Sequence, residues 1–311
     1  MNGKKIAVLA TGGTIAGRAQ TANDNIGYTA AQLGVQELLA TVPELHKLPL
    51  VAEQVAQVDS KDMSFDLWRK LALRCAHWLA QQDVGGVVIT HGTDTLEETA
   101  YFLQAVLAPA KPVVLTCAMR PATALSPDGP QNLLDAIAVA AAFAAQGVVA
   151  VCAGTIHGAL DVAKQHTWRL DAFSSGDAGP VGYVEDGRLR LLRAWPAPDG
   201  AAIRRFERFA ATGRWPRVEI VLSHAGAGGA IVNALVAQGV DGLVVAGTGN
   251  GSVHHELETA LREAQASGVK VVRSTRCAQG RVLARPGEAL PDAGGLSPVK
   301  ARIALMLELL G

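Results

Sequence analysis

The sequence predicts an α/β protein with two open, mostly parallel, doubly wound sheets, one in a larger N-terminal domain and one in a smaller C-terminal domain. Three observations carry this. Short apolar runs rich in β-branched residues recur along the chain, and each leads through a Gly-, Thr- or Ser-rich turn into a segment with helical periodicity. Strands alternating with helices of that length close into parallel sheets with right-handed crossovers. At 311 residues, 49% of them apolar, the chain is also longer than a single core normally accommodates.

The strand-like runs, in order, are Ile6 to Ala10, Gly86 to Thr90, Pro112 to Cys117, Val148 to Ala153, Val218 to Ser223, Leu243 to Ala246 and Val269 to Ser274. Between them lie amphipathic stretches that predict helices: Phe65 to Ala80, Leu96 to Leu107, Asn132 to Ala145 and Glu256 to Ser267. Val181 to Leu192 carries Glu185-Asp186-Gly187 between two short apolar runs and predicts a hairpin closing the first domain. The βα rhythm then breaks at Trp195-Pro196-Ala197-Pro198-Asp199-Gly200 and the basic stretch Arg204 to Arg208. The expected domains are therefore residues 1–193 and 216–311, with a linker over 194–215.

Composition narrows the function classes. The formal charge is zero, so no chain-wide field draws the protein to nucleic acid or anionic lipid, and the expected partner is a small molecule. No apolar stretch approaches the roughly 20 residues of a spanning helix, and no basic-then-apolar leader precedes the first strand. The expectation is a soluble cytoplasmic protein without a membrane partner. Cys75, Cys117, Cys152 and Cys277 are scattered and lack Cys-x-x-Cys spacing, which fits reduced thiols. His157, His166, His254 and His255 show no metal-ligand spacing, and no metal is expected.

Polar motifs fall after strand ends: Thr11 to Thr14, His91 to Thr95, Ala118 to Pro121, Gly154 to Lys164 and Gly247 to Ser252. In open α/β sheets ligands bind outside those ends, so the first four are expected to line one site. A strand leading into Thr11-Gly12-Gly13-Thr14-Ile15-Ala16-Gly17 also opens dinucleotide-binding folds, which makes a dehydrogenase a competing reading. Its Gly-x-Gly-x-x-Gly fingerprint fails because Thr14 occupies the second glycine position. Taken alone, that turn reads as structural. His91-Gly92-Thr93-Asp94-Thr95 shifts the balance, concentrating two hydroxyls, a carboxylate and an imidazole after one strand. Thr95 reads as a cap or packing residue and His91 as a structural hydrogen-bonding group.

Leu9-Ala10-Thr11-Gly12-Gly13-Thr14-Ile15-Ala16 and Gly86-Val87-Val88-Ile89-Thr90-His91-Gly92-Thr93-Asp94-Thr95-Leu96 resemble the two signatures of the bacterial-type L-asparaginases, in the asparaginase/glutaminase family. Ala118-Met119-Arg120-Pro121, Ser126-Pro127-Asp128-Gly129-Pro130-Gln131-Asn132-Leu133 and Asp161-Val162-Ala163-Lys164 follow in family order. The resemblance implies hydrolysis of L-asparagine to aspartate and ammonia through a threonine acyl-enzyme, without cofactor. It implies Thr14 as nucleophile, Tyr28 beside it in a lid, and Thr93, Asp94 and Lys164 as a second catalytic cluster. Ser60 and Asp94 would hold the substrate's carboxylate and ammonium, and the Ala118 carbonyl would accept from the leaving amide nitrogen. A homotetramer, a dimer of intimate dimers, is implied too.

A threonine hydroxyl attacks an amide only when something takes its proton. Tyr28 and Lys164 are the alternatives, each requiring an altered protonation state, and both stay open at this point. Backbone amides at Gly12-Gly13 and Gly92-Thr93 are expected oxyanion donors. Residues 17–34, with Asn23, Asp24, Asn25 and Tyr28 between Gly17 and Gly34, have the composition of a mobile lid. Lys61 stands where the family carries glutamine, in a position to touch the substrate's ammonium unless its stem bends outward. Asn250 and Glu288 are candidates for reaching a neighbouring subunit's site. A broader glutaminase-asparaginase, the amidase part of a tRNA-dependent amidotransferase and a non-catalytic amino-acid-binding protein of the same fold are the alternatives. The absence of any basic stripe disfavours the amidotransferase.

Overall fold

The computed structural model describes residues 3–21, 24–283 and 286–311. Asn23, one residue of the expected lid, lies outside them. The chain divides into two compact units between Ile203 and Arg204.

In the first unit β1 (Lys5–Gly12), α1 (Val35–Ala40), β2 (Leu50–Val58), α2 (Phe65–Ala80), β3 (Val84–Thr90), α3 (Leu96–Leu107), β4 (Val113–Thr116), α4 (Gly129–Ala140) and β5 (Val148–Cys152) give the βα alternation. Then come β6 (Thr155–Gly158), β7 (Ala163–Lys164), β8 (Phe173–Ser174), β9 (Gly182–Glu185) and β10 (Arg188–Leu191). Eight strands form one sheet in the order β10-β9-β6-β5-β4-β3-β1-β2, with β7 and β8 paired separately. The pairings from β2 through β5 are parallel, and those from β5 through β10 are antiparallel.

Both faces of the parallel part are covered, which is why its strands read as continuous apolar runs rather than alternating ones. Ile6, Val8, Val88, Val114 and Val149 pack under α1 and α4 with Leu38, Leu133 and Ile137. The opposite-facing Ala7, Leu9, Val87, Ile89 and Leu115 are equally buried. On that side Trp68 of α2 stacks on Phe102 of α3 at 4.9 Å.

Three features differ from expectation. The edge strand β2 reads Leu50-Val51-Ala52-Glu53-Gln54-Val55-Ala56-Gln57-Val58 and is half-buried, so polar residues interrupt the apolar signal. Helix α4 starts earlier, with Pro130 in its first turn where the missing N–H costs nothing, and it is over before Ala144, which has φ 64°. The segment expected as linker contains a helix, α5 (Ala202–Ala211). Phe206 and Phe209 meet edge to face at 5.2 Å, and Phe209, wholly buried, also lies against Trp215.

The second unit holds β11 (Val218–Leu222), α6 (Ala230–Ala237), β12 (Gly242–Gly247), α7 (His255–Ala266), β13 (Lys270–Thr275) and α8 (Pro298–Leu309). Its three strands are parallel in the order β11-β12-β13. Val232, Leu257 and Leu261 from α6 and α7 share a core with Leu243 and Val245, and α8 packs along the strands. No helix among the described residues is long and apolar enough to cross a membrane.

Candidate active site

Beyond β1 the chain turns through Gly12 (φ 108°) and Gly13 (φ 81°) into a 3-10 turn, Thr14–Ala16. These angles strain any residue with a Cβ. Space forbids one as well, since a Cβ on Gly13 would lie 2.4 Å from the N and Cα of Gly92. The turns after β1 and β3 therefore touch backbone to backbone, and Thr14 and Thr93 are the residues that directly follow the two touching glycines. The Gly13 carbonyl accepts from Ala31 and Ala16, and its amide donates to Val58 at 3.0 Å. This corrects the expectation for Gly13 as an oxyanion donor: its single N–H is already committed, and the glycine serves close approach. The amide of Thr93 makes no hydrogen bond among the described residues.

Thr14 is buried, and its hydroxyl lies 2.7 Å from the Tyr28 hydroxyl. Tyr28 arrives on a loop whose ends are pinned. Arg18 and Thr29 exchange backbone hydrogen bonds at 2.9 and 2.8 Å, Ala122 donates to the Gly17 carbonyl, and Ala19 donates to the Thr123 hydroxyl at 2.9 Å. At the tip, the Asp24 carboxylate accepts from the amides of Ile26 and Gly27. Those bonds hold its pKa below the ordinary carboxylate value.

Next to this pair stands a second one. Lys164 donates to Thr93 Oγ1 at 2.8 Å and to Asp94 Oδ1 at 2.7 Å, while Thr93 Oγ1 sits 3.5 Å from the same carboxylate oxygen. Lys164 is only 20% exposed at its side chain, unlike an ordinary surface lysine. Ser60, also buried, accepts from the Asp94 amide at 3.2 Å and keeps its own proton to donate. Thr95 begins α3 without capping it; its hydroxyl instead donates to the Ser60 carbonyl at 2.7 Å, tying the turn after β2 to the turn after β3.

The His91 imidazole is fixed from below. Trp68 Nε1, which can only donate, gives its proton to Thr99 Oγ1 at 2.9 Å. The Thr99 hydroxyl then donates to His91 Nε2 at 3.0 Å, leaving Nδ1 protonated and bonded to the Gly92 carbonyl at 2.7 Å. Burial lowers the His91 pKa to about 4, so the ring is a neutral structural group.

The turn after β4 contributes Ala118, buried, between Cys117 and Met119. Asp128 and Asn132 hold this turn: Asp128 accepts from the amides of Met119 and Arg120, both at 2.9 Å, and Asn132 donates to the Cys117 carbonyl at 2.9 Å. The sequence had offered Asp128 only as part of a block, because a helix-start aspartate carries no sign of what its side chain will bind.

Two expectations need adjustment. The stretch Gly154 to Lys164 is not one loop at a strand end. Its first part is β6, antiparallel to β5, which turns His157 into the interior against Ser175 at 2.8 Å; only Lys164 joins the cluster. Lys61 points its ammonium at Asp59, 2.7 Å away, with Asp62 at 3.8 Å. Its pKa is raised chiefly by Asp59, with a lesser contribution from Asp94.

In the second unit the Asn250 amide is occupied at both ends by the Leu283 backbone, at 2.7 and 3.1 Å. Glu288 pairs with the buried Arg273. Thr248 and Ser252 bridge across the glycine turn, and His254 begins α7, accepting from the Glu256 amide.

Comparison with known proteins adds an independent line. The family model described as Asparaginase, N-terminal matches residues 5–197, and that of the Glutaminase/Asparaginase C-terminal domain matches 217–310. L-asparaginase 2 of Bacillus subtilis is 39% identical, covering 98% of this chain and 82% of the relative. Glutaminase-asparaginase of Pseudomonas fluorescens biotype A is 38% identical over 98% of this chain and 86% of its own. A crystal structure of a probable cytoplasmic L-asparaginase from Campylobacter jejuni superposes with a TM-score of 0.91 at 39% identity, covering 98% of this chain and 95% of that one.

Proposed function

Because this chain belongs to the asparaginase/glutaminase family, we propose that it hydrolyses the side-chain amide of L-asparagine to aspartate and ammonia through an acyl-enzyme on Thr14. The observation that carries this is the Thr14–Tyr28 contact set directly beside the Thr93–Lys164–Asp94 cluster by the touching glycines. Thr14 Oγ1 forms the bond to the amide carbonyl carbon and the C–N bond breaks. Tyr28 is the group in contact with the attacking hydroxyl and the first acceptor of its proton. It can receive that proton as it releases its own toward the leaving nitrogen, so no free phenolate is required. Water then cleaves the ester, and Thr14 regains its proton.

The second cluster polarises what the first attacks. Lys164 places a positive charge on the Thr93 hydroxyl, and the uncommitted Thr93 amide is the better-supported oxyanion donor. The Ser60 hydroxyl is placed to donate to the substrate's α-carboxylate and the half-exposed Asp94 carboxylate to accept from its α-ammonium. The Ala118 carbonyl accepts from the leaving nitrogen. Lys61, engaged with Asp59, tunes this ammonium subsite from its edge through charge rather than contact.

Asparagine and glutamine differ by one methylene, worth about 1–3 kcal/mol in a pocket, and relatives of near-equal identity carry both activities in their names. A glutaminase-asparaginase is therefore the second reading. Ammonia release from each amide, measured for the native chain, Thr14→Ala and Thr93→Val, tests both. Thr14→Ala should lose on the order of 10³-fold in kcat, and retained turnover there would remove Thr14 as nucleophile. We place the enzyme in the cytoplasm, in line with the Campylobacter jejuni neighbour's description. As a homotetramer, it should sediment at four times the monomer mass.

A further inference from the structure

Asp128 occupies the position just before α4, with φ −92° and ψ −15°, where an aspartate normally caps its own helix; its side chain makes no such bond. Both carboxylate oxygens reach the turn after β4 instead. Oδ2 accepts from the Met119 amide and Oδ1 from the Arg120 amide, each at 2.9 Å, and Asn132 Nδ2 adds a contact to Oδ2 at 3.3 Å. The same Asn132 amide group donates to the Cys117 carbonyl and accepts from the Ala153 amide at 2.9 Å. The Cys117 carbonyl and the Met119 and Arg120 amides around the Ala118 carbonyl are thus anchored, while that carbonyl accepts no hydrogen bond among the described residues.

The Ala118 carbonyl and the Met119 N–H belong to one planar trans peptide, in which they point in opposite directions. With the N–H aimed at Asp128, the oxygen is aimed away from it. The bond also has an electronic effect. A charged acceptor on the N–H draws the proton toward it and pushes electron density through the amide onto the carbonyl oxygen, strengthening that oxygen as an acceptor.

We infer that Asp128 is a positioning residue that sets both the direction and the acceptor strength of the Ala118 carbonyl, and so favours substrates whose leaving group carries N–H hydrogens. The inference deepens the amidohydrolase reading and rests on it. Asn132 supports Asp128 by fixing the neighbouring peptide. A primary amide gains from this acceptor as its nitrogen departs; an ester of the same acid, with a methoxide leaving group, has no hydrogen to offer it.

The test compares L-asparagine with L-aspartate β-methyl ester on the full chain, native and Asp128→Asn, with folding checked by circular dichroism. The variant should lose about ten-fold or more in the amide-to-ester ratio of kcat/KM, and Asp128→Glu should recover part of it. Equal losses on both substrates would mean that Asp128 only holds the fold, and the inference would fail while the amidohydrolase reading stood. A native chain that hydrolyses neither substrate would overturn that reading and this inference together. Should Asp128→Asn fail to fold, Asp128→Ser, which retains one acceptor oxygen, gives the same ratio test. An NMR measurement on the native chain is independent of any variant: the Met119 amide proton should resonate well downfield, as a proton bonded to a carboxylate does, and an ordinary shift would overturn the assignment.

Discussion

Lys164 contacts a hydroxyl and a carboxylate at once, so its removal strands both. In Lys164→Met the apolar stem is kept, Thr93 loses its charged donor, and Asp94 loses its ion-pair partner. We expect kcat to fall on the order of 10² to 10⁴-fold with little change in Tm, as the head group faces a half-exposed carboxylate rather than the core. A variant that kept full kcat would show that the cluster binds substrate without contributing to chemistry. Residue identity was legible at these positions because the chemistry needs hydroxyl, carboxylate and amine, and the motifs concentrate them. The contact between Thr14 and Tyr28, fourteen residues apart across a loop, came only from family resemblance. The Trp68–Thr99–His91 chain was not legible, since helices α2 and α3 and the turn after β3 supply one member each and no local pattern links them.

At the scale of elements, the glycine turns and the lid carry the site. Gly13→Ala would place a methyl group 2.4 Å from backbone atoms of Gly92 on a residue with φ 81°. Backbone cannot yield as a flexible side chain can, so activity should vanish and Tm fall by several degrees; a thermal melt with an ammonia assay checks both. The lid is pinned at its base by Arg18 and Thr29 and exposed at Ile26. Hydrogen exchange over residues 24–28 should slow when aspartate is added and stay unchanged at the Arg18 and Thr29 amides. Equal exchange with and without aspartate would count against a closing lid. Among the elements, the parallel strands β1, β3, β4 and β5 were readable since burial on both faces makes them apolar, whereas the half-buried parallel edge strand β2 was not. Of the antiparallel edge, the β9–β10 hairpin was readable from Glu185-Asp186-Gly187 between two short runs, whereas β6 was not, because it has four residues and pairs with β9 across an interval that local periodicity cannot register.

For the whole molecule, pH dependence follows from two buried histidines. Burial lowers the pKa of His91 to about 4; burial, helped by Arg193, does the same to His157. A histidine whose folded pKa lies below its unfolded value near 6.5 is protonated first in the unfolded chain. Its stabilising contribution is therefore present above pH 6.5 and is lost as pH falls toward 4. Between pH 7 and pH 5 the two should cost about 4 kcal/mol together. Urea unfolding at those two pH values checks this, and equal free energies would mean that neither ring is held neutral. The division into two βα units was visible in the recurrence of the runs, whereas the helix α5 was hidden because Pro196, Pro198 and the basic residues from Arg204 to Arg208 mark a break in the βα rhythm.

The contact between Gly13 and Gly92 also bears on how such an enzyme can be altered. A pocket whose width depends on packed side chains can be widened by trimming one of them. Here the spacing between Thr14 and Thr93 is set by two stretches of main chain pressed together, which no side-chain substitution can bring closer or move apart without breaking the turns. Directed evolution toward longer amides should therefore accumulate changes around the ammonium and carboxylate subsites or in the lid. A different reach between the two hydroxyls would take an insertion or deletion, a step that random point mutation does not supply.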